Sequence, residues 1–371
     1  AYALIDEGEK QLTHLQIGRL LLRKQDEKKL EENIFDIVNQ FNEGISLIDD
    51  ENELLELVKL NLQAGKKAKS ATAYNSAARY LKIGREILPA DSWNKKYELS
   101  LNLYVKSTEA AFLRGNFEEM TELTEVVFSR SKTLLDKIKV YEVNILARIS
   151  QNKEQEAVKI ALEVLELLGV NFPKNPTPED IAEELKQTQL AWMPKQPLDL
   201  IDLPEMSDPY KISALSILNS AASAAYQVAP QIFPLIVLRQ VYLSVKYGNT
   251  SLSCNAYSFY GIILCGMVGE IELGFQFGQL ALMLSNRENA RKVRGKALYI
   301  VNVAIAFWKV HARETLKPLL DSYKMSVEFG DIEYAGNALD IHSHHSYFVG
   351  KELGELASEM GNQAKILTRL Q

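Results

Sequence analysis

The chain contains little cysteine: two of its 371 residues, Cys254 and Cys265. If one helix carries both, they lie about 16 Å apart, which is too far for a disulfide bond. Unpaired cysteines are typical of a reduced, intracellular protein, and we therefore expect a cytoplasmic location. No secretory leader opens the chain, because Asp6 and Glu7 follow a short apolar start. Since there is no initiator Met and the last residues continue a helical pattern, we expect a segment of a longer protein.

The chain also lacks an excess of positive charge and any clean membrane-spanning sequence. Its net charge of −6 argues against a general nucleic-acid-binding protein. Two stretches, Ile212–Leu238 and Tyr247–Gly269, carry no charged residue and are long enough to cross a bilayer. Polar residues and prolines, such as Asn219 and Pro230, interrupt them. We interpret both as buried helices and keep membrane spans or a partner-covered surface as alternatives.

Motifs that carry catalysis are absent from the sequence. No Gly-x-Ser-x-Gly element or other recognisable nucleophile motif occurs. The stretch Ala64–Ser70 contains Gly-Lys, but a phosphate-binding loop needs a second glycine and a preceding strand. Carboxylate pairs such as Glu118–Glu119 stand where helices are expected to begin, where they complement the helix dipole. We therefore expect this chain to be neither an enzyme nor the holder of a cofactor.

Histidine is scarce, with five residues in total, and three of them form one cluster, His342-Ser343-His344-His345. On a helix His342 and His345 share a face, whereas His344 points away from it. Zinc sites use such residues, but no cysteine stands nearby and Asp340 is poorly aligned with the pair. We expect histidines that pack or line a groove, and keep a metal site and a pH-sensitive contact as alternatives.

Helical periodicity is what the sequence has in abundance. Apolar residues recur with a spacing of 3.6, and almost no segment has the alternation of a strand. Short polar turns containing an acidic residue return every 37 to 43 residues. They are Arg114–Met120, Gln151–Ala157, Gly269–Gly274, His311–Leu316 and Gly350–Gly354. Self-similarity at this period predicts an all-α, tetratricopeptide-like α-α superhelical solenoid of about eight helical hairpins.

The best single match to the tetratricopeptide pattern lies in the second hairpin. Small or apolar residues and a closing proline stand there at the characteristic offsets: Gly65, Ala77, Leu81, Gly84 and Pro89. Small residues at these offsets let two helices approach, and the proline ends the second helix.

A proline-rich segment divides the repeats. Seven of the eleven prolines lie between Pro173 and Pro209. Within this segment Thr177-Pro178 has the form of a helix start, which predicts a short helix to about Trp192 and then an extended crossing through Pro194, Pro197 and Pro204. Asp208-Pro209 has the same form and predicts the start of the next repeat helix. The sequence thus predicts an N-terminal repeat block at 1–170, a Pro-rich excursion at 171–209 and a C-terminal repeat block at 210–371.

In a tetratricopeptide arrangement, the first helix of each hairpin lines the concave face. Counting from Gly65 and the later turns gives these candidate groove residues: Lys66, Lys69, Glu109, Phe112, Glu142, Phe259, Trp308, Lys309, Asp340, His344 and Tyr347. Exposed aromatic residues flanked by charges are typical peptide anchors. The alternative is that Phe112, Phe259 and Trp308 fill the seams between repeats. A basic cluster is interpreted as a solvated face, with an anion-binding patch as the alternative: Lys66, Lys67, Lys69, Arg79, Lys82 and Arg85.

Several stretches resemble known signalling proteins. The segment Leu60–Ala68, with Ala73-Tyr74, Tyr80-Leu81 and Gly84, resembles the helical repeats that follow the ATPase module of large signalling ATPases. Four further stretches are similar to the central region of cyanobacterial-type multi-sensor signal-transduction kinases: Thr13–Leu22, Asn33–Asn42, Lys246–Asn249 and Tyr260–Gly266. In that family a serine/threonine kinase domain and an ATPase module precede such a region, and a GAF sensor and a histidine kinase commonly follow it. The resemblance brings no catalytic residue into this chain.

Together these features predict a non-catalytic regulatory module of a multidomain kinase, acting in protein–protein interaction or as a spacer. Its expected partners are neighbouring domains of the same chain or a protein or peptide ligand, without nucleic acid or membrane insertion. The alternative is a small-molecule effector sensor that controls the adjacent ATPase or kinase. In that alternative the Tyr-rich block Tyr257–Cys265, near the proline-rich segment, walls a pocket.

Overall fold

A computed structural model describes residues 6–24 and 26–370, and within them every regular element is helical. The apolar start at residues 1–5, which bears on the absence of a leader, lies outside the described residues. The only backbone pairing of the β type in the described part is an isolated bridge between Glu205 and Asn249. The predicted all-α class is therefore correct. The chain forms two compact units, 1–147 and 148–371.

The first unit consists of consecutive helices that pack in pairs. The helices are α1 (Glu7–Arg23), α2 (Glu27–Glu43), α3 (Glu51–Ser70), α4 (Tyr74–Glu86), α5 (Ser92–Lys95), α6 (Tyr97–Leu113), α7 (Phe117–Arg130) and α8 (Leu134–Ser150), the last of which continues past residue 147. Helix α1 packs on α2, α3 on α4, and α6 on α7. A continuous apolar core runs from Leu15 through Leu57 to Ala110. The amphipathic spacing of the sequence accounts for this core, since each helix turns one apolar face inward.

The second unit repeats this mode of construction. Its helices are α9 (Glu154–Leu167), α10 (Pro178–Trp192), α11 (Pro209–Val228), α12 (Ile232–Tyr247), α13 (Ser253–Ile263), α14 (Ile271–Ser285), α15 (Arg294–Ala304), α16 (Ala312–Glu328), α17 (Ile332–Phe348) and α18 (Leu353–Leu370). Neighbours pack as α11 on α12, α13 on α14, and α16 on α17. The contact-based boundary at 147 differs from the predicted block boundaries at 170 and 209, which stay predictions.

The turns that end many of these helices share one hydrogen-bond pattern. A residue with positive φ follows the helix, and the next N–H donates to the carbonyl five residues earlier, as in a Schellman motif. The residues with positive φ in this pattern are Thr72, Gly115, Asn152, Gly169, Gly330 and Gly350. The pattern follows α3, α6, α8, α9, α16 and α17. Three of the five turns predicted from the sequence, those at Gly115, Asn152 and Gly350, have this geometry, whereas the turns at Gly269 and His311 do not.

The helices of the best-matching hairpin approach as the small residues predict. A Cβ atom on Gly65 would lie 2.6 Å from Leu81 Cγ, and one on Gly84 would lie 3.2 Å from Leu103 Cδ1. Gly65 also lies inside α3, which is incompatible with a phosphate-binding loop. Close backbone approach, and not ligand binding, explains this glycine.

The proline-rich segment contains the predicted helix. Thr177 caps α10 by accepting from Asp180 N–H, Asp180 accepts in return from Thr177 N–H, and Pro178 is the first helical residue. Helix α10 ends at Trp192, as predicted, and packs on α12. The following crossing is not fully extended, because Pro197–Asp202 forms a 3-10 helix. Asp208 caps α11 by accepting from two backbone N–H groups, in agreement with the sequence.

Helical periodicity in the sequence predicts continuous helices over residues 92–113, 251–268 and 292–310, and the structure interrupts all three. The predicted helix from Ser92 to Leu113 breaks at Lys96, whose φ of −134° is not helical. The predicted helix Lys292–Val310 breaks at Ile305 and continues as the 3-10 segment Ala306–Trp308. The end of the predicted helix Ser251–Val268 is a π-helical turn, Leu264–Val268. Periodicity alone did not show these breaks, since the apolar pattern continues through them.

The two uncharged stretches form packed helices. Residues of α11 and α12 such as Leu218, Ala222 and Leu238 have no exposed surface. Among the helices in the described residues, none has the length and apolar content needed for a membrane span. Their interpretation as buried helices is therefore confirmed.

Candidate functional site

The second unit contains a cleft with largely aromatic walls, which we call the aromatic cleft. Its volume is about 560 Å³, and residues of α11, α12, α13, α15 and α17 line it. The aromatic residues that line it include Tyr226, Phe233, Phe259, Tyr299, Trp308 and Tyr334. Pockets of roughly 300 to 1,000 Å³ with apolar walls and a few polar groups are typical of small-molecule sites.

The rings of the cleft form two groups of edge-to-face contacts. The Tyr226 and Phe233 ring centroids are 5.2 Å apart, and those of Phe233 and Phe259 are 5.6 Å apart, both nearly perpendicular. Tyr299 and Tyr334 meet in the same way at 5.5 Å. Such contacts stabilise ring positions beyond area burial, so the walls are held in place by one another.

The mouth of the cleft exposes aromatic surface, whereas its floor is buried. Tyr226 is 65% exposed and Trp308 is 44% exposed, while Phe233 and Phe259 are only 6% and 7% exposed. Trp308 stacks on Phe307 with a ring distance of 5.4 Å. Exposed aromatic surface rimmed by polar groups marks an interaction site.

Two departures from regular helix border the cleft. The break at Ile305 allows its side chain to pack against helices α13 and α14, where a Cβ on Gly261 would lie 2.6 Å from Ile305 Cδ1. The residues that follow, including Trp308, then form the cleft wall. On another side, Gly266 in the π-helical turn lines the cleft. Single π turns occur often at functional sites, because they change the direction of neighbouring side chains.

Charged groups of α15 and of the start of α17 meet beside the cleft. Lys296 Nζ lies 4.8 Å from the Tyr334 ring centroid and 5.5 Å from that of Phe259. Desolvation opposes its charge, but Tyr334 and the carboxylates of Asp331 and Glu333 outweigh it, so the pKa of Lys296 is raised. Desolvation in turn raises the pKa of both carboxyls, against the effect of Lys296. Glu333 lines the cleft, and in the described structure its carboxylate accepts no hydrogen bond and forms no ion pair.

The phenols of Tyr299 and Tyr334 remain protonated at neutral pH. Burial raises the pKa of Tyr299 to about 12, and it also raises the pKa of Tyr334. Both therefore act as hydrogen-bond donors and aromatic surfaces, and neither suits a general base near pH 7.

Three of the candidate groove residues of the first unit, Lys69, Glu109 and Glu142, form ion pairs within the unit. Glu109 is 4% exposed and binds Lys69 and, at 2.8 Å, Lys106. Despite desolvation, the two lysines lower the pKa of Glu109. Glu142, 8% exposed, accepts from Lys139 at 2.7 Å. These carboxylates thus already have cationic partners within the chain.

The other two candidates of this unit differ in exposure. Lys66 is exposed, and desolvation together with Lys106 and Lys69 lowers its pKa. Phe112 is half-buried and packs against the apolar cluster around Ala111 and Met120, as in the seam-filling alternative.

The candidate groove residues of the second unit do not all reach one site. Phe259 and Trp308 line the aromatic cleft. Lys309 pairs instead with Glu272. Asp340 and His344 are exposed neighbours on α17, with His344 Nδ1 3.6 Å from Asp340 Oδ2. Tyr347 is 58% exposed and contacts Phe348.

The basic cluster is largely engaged inside the first unit. Lys67 Nζ donates to the Glu31 and Glu32 carbonyls, and Arg85 pairs with Glu119 at 2.9 Å. Arg79 lies 4.9 Å from the Tyr80 ring centroid and Lys82 lies 3.8 Å from Glu86. With Lys69 bound to Glu109, little of this charge remains for an anion.

The histidine cluster has three different environments. His342 is 4% exposed, and burial lowers its pKa. His345 Nδ1 contacts Thr315 Oγ1 at 2.6 Å, and desolvation together with the other two histidines lowers its pKa. His344 points to solvent beside Asp340. Within residues 6–24 and 26–370, no three His, Cys, Asp or Glu side chains converge as a metal site requires.

The Tyr-rich block Tyr257–Cys265 contributes to two different surroundings. Phe259 and Ile262 line the aromatic cleft. Tyr257 and Tyr260 are fully buried and contact Phe277 at 5.8 and 4.7 Å, on the side where Trp192 also meets that ring. Both cysteines are free and buried, and burial raises the pKa of Cys254 to about 12, so its thiol is unreactive.

Sequence reasoning missed most of the cleft residues. Tyr226, Tyr299, Glu333 and Tyr334 come from three helices that are distant in sequence. Each by itself looks like an ordinary residue of an amphipathic helix. The long uncharged sequence of α11 ending in Tyr226, followed by aromatic Phe233, was the available hint.

Comparison with known proteins gives one informative similarity. The chain is 24% identical to hybrid signal transduction histidine kinase G of Dictyostelium discoideum over 368 residues, covering 88% of this chain. The chain spans 11% of the length of that kinase. No protein-family model matches the sequence.

Proposed function

We propose that this chain is a non-catalytic regulatory module of a multidomain signal-transduction kinase. The observation that carries the proposal is the alignment with a hybrid histidine kinase over 88% of the chain. The resemblance to multi-sensor kinases in the sequence supports the same context. We also propose that the hairpins stack as a tetratricopeptide-like solenoid. The turn geometry that Thr72, Gly115 and Asn152 share supports this arrangement.

Regulation would work through surfaces whose binding differs between an active and an inactive kinase. A module can shift that equilibrium only by the difference in its contacts with the two states. Its own hairpins supply rigid surfaces, because buried ion pairs such as Lys69–Glu109 fix one helix against the next. The serine/threonine kinase and the ATPase module belong to this proposal through the resemblance alone, and a cytoplasmic location belongs to it through the two unpaired cysteines.

The test is kinase output of the full-length polypeptide that carries the segment. Autophosphorylation would be compared among the intact protein, a precise deletion of the segment and a Phe307→Ala/Trp308→Ala variant. The control is Met283→Ala, which removes another exposed apolar side chain of the second unit, 43% exposed. Output that changes with the deletion and the cleft variant but not with the control is the expected result. Unchanged output after deletion would rule out a regulatory role.

A second candidate function is favoured by the aromatic cleft itself. Its volume of about 560 Å³ and its aromatic walls suit a small-molecule effector, whose binding would then control the adjacent catalytic domains. A ligand that stabilises the second unit and alters kinase output would support this function. Stabilisation of the Trp308→Ala variant to the same degree would place binding elsewhere.

A further inference from the structure

The charge around the aromatic cleft is unbalanced. Glu333 lines the cleft, and Asp331 stands two residues before it at the start of α17. The one cation close to both is Lys296, which is not among the lining residues and lies against the Tyr334 and Phe259 rings. Two carboxylates and one ammonium leave this part of the described structure with one negative charge.

The cleft also offers ring surface of the kind that attracts cations. The faces of aromatic rings are negative, so ammonium groups bind over them within about 6 Å of the centroid. Lys296 already does so at 4.8 and 5.5 Å on the floor side. Tyr226 and Trp308, 65% and 44% exposed, present further aromatic surface at the mouth.

An anionic ligand fits this arrangement poorly. It would face the Glu333 carboxylate, and no cationic side chain is among the residues that line the cleft. A neutral apolar ligand would use the rings, but on binding it would remove water from the exposed Glu333 carboxylate without giving it a partner, which is costly. A cation satisfies both features at once.

We propose that the aromatic cleft binds a small organic cation, an amine or quaternary ammonium group on an apolar body, with Glu333 as its counter-ion. The proposal rests on the second candidate function and names its ligand class. The apolar body contacts Phe233 and Phe259, and the cationic head lies between Glu333 and the exposed rings at the mouth.

Binding of such a cation is linked to pH. Desolvation and Asp331 hold the pKa of Glu333 above its usual range, while Lys296 acts in the opposite direction. A bound cation favours the ionised carboxylate, so the affinity rises as pH increases through the pKa of the free site. The groups that face Glu333 are Lys296 from α15 and, on its own helix start, Asp331; Tyr299 and Tyr334 stay neutral in this range.

The experiment uses three probes with the same apolar body: 4-phenylbutylamine, 4-phenyl-1-butanol and 4-phenylbutyrate. Binding to the full chain is measured by calorimetry and by quenching of tryptophan fluorescence, to which Trp308 contributes. We expect the amine to bind about tenfold more tightly than the alcohol, since cation–π and ion-pair contacts act together, and the carboxylate to bind weakest. The amine's advantage should shrink between pH 7.5 and pH 5.

Three variants locate the effect. Glu333→Gln should reduce the preference for the amine to the part that the cation–π contacts supply, and should remove its pH dependence, while leaving the alcohol's affinity unchanged. Glu288→Gln makes the same change of charge at a side chain that is 89% exposed and away from the cleft residues, and should change nothing. Trp308→Ala should weaken the binding of both probes, and that of the amine more, because the amine also loses a cation–π contact.

The outcomes separate this proposal from the function on which it rests. Equal affinity of amine and alcohol would overturn the organic-cation assignment and leave an apolar effector site, and an amine preference that Glu333→Gln does not reduce would overturn the role of Glu333 as counter-ion. Failure of all three probes to bind or to stabilise the second unit would overturn the small-molecule site itself. The regulatory proposal would then depend on the kinase assay alone.

Discussion

Replacing Thr72 by glycine is expected to stabilise the first unit. Thr72 follows α3 with φ +57°, a conformation that is unfavourable for a β-branched residue. The left-handed conformation costs an L residue roughly 1–2 kcal/mol. Glycine avoids this cost but loses about 0.5–1 kcal/mol through the greater freedom of the unfolded chain. The Thr72 hydroxyl bonds only to the Ala71 carbonyl at an exposed position, so little else is lost.

The expected net gain is about 1 kcal/mol in free energy of unfolding, or a rise of about 2–4 °C in the melting temperature of a unit of this size. Hydrogen-exchange mass spectrometry on peptides from α3 and α4 measures the change locally, which matters because two units need not unfold together. The turn bond from Ala73 N–H to the Ala68 carbonyl, 3.0 Å long, should become better protected.

Gly115→Thr is the matched reverse variant. Gly115 has φ +72° in the same turn after α6, and an added Cβ meets no atom within 4 Å, so only the backbone conformation is tested. We expect a loss of about 1–2 kcal/mol. Asn152→Gly should gain less than Thr72→Gly, because asparagine tolerates this conformation. If Thr72→Gly lowers stability, or Gly115→Thr has no effect, the shared turn geometry of the hairpins is refuted.

Three further predictions concern buried polar groups. Glu109→Gln should lower the free energy of unfolding by about 2 kcal/mol, because it leaves Lys69 and Lys106 without their buried counter-ion. The control Glu56→Gln, at an exposed pair with Lys59, should lower it by less than about 0.5 kcal/mol. Urea titration measures both, and equal effects would contradict the structure. Gln240→Leu should stabilise the second unit by about 1–2 kcal/mol, since in the described structure the Gln240 amide is fully buried without a hydrogen-bond partner. A lower melting temperature of the variant would show that the amide does form hydrogen bonds. His342→Leu should flatten the curve of stability against pH below about pH 6.5. Burial lowers the pKa of His342 in the native protein, so the unfolded chain binds the extra proton, and wild-type stability falls as the pH drops from the unfolded-state pKa toward the native-state pKa. Parallel curves for the variant and the wild type would refute this reasoning.

Sequence patterns predicted the helix caps and the close contacts within one hairpin, because both depend on residues that are near one another in the sequence. Thr177 and Asp208 were identified as caps because a side-chain oxygen three or fewer residues before the first free N–H groups suffices for capping. Gly65 and Leu81 were identified as a close contact because both lie in one hairpin, where offset in sequence fixes distance in space. Glu109 and Glu142 were predicted to line the groove, which stays a prediction, but their burial could not be predicted. Each pairs with a lysine three residues earlier on the same helix, and spacing along one helix does not show how neighbouring helices bury such a pair.

The cleft could not be predicted, because it forms where the helices depart from their regular geometry. A continuous helix was expected through Lys292–Val310, yet the chain breaks at Ile305, whose side chain fills space left by Gly261 and Gly278. Those glycines lie on α13 and α14, so the reason for the break is in other helices and periodicity within one helix cannot reveal it. The same holds for the π turn at Leu264–Val268, next to the contact in which a Cβ on Gly274 would lie 2.8 Å from the Gly261 carbonyl oxygen.

These irregular segments bear on the proposed division of roles between the two units. In the first unit, charges on successive helices neutralise each other, as Lys69–Glu109–Lys106 and Lys139–Glu142 do, which favours a rigid spacer or docking surface. In the second unit, broken helix geometry leaves aromatic rings exposed and Glu333 lining a cleft. Irregular backbone and exposed aromatic surface both cost stability and persist where the surrounding structure or a function requires them. The second unit is therefore where we expect ligand recognition, and substitutions there should affect binding more than folding.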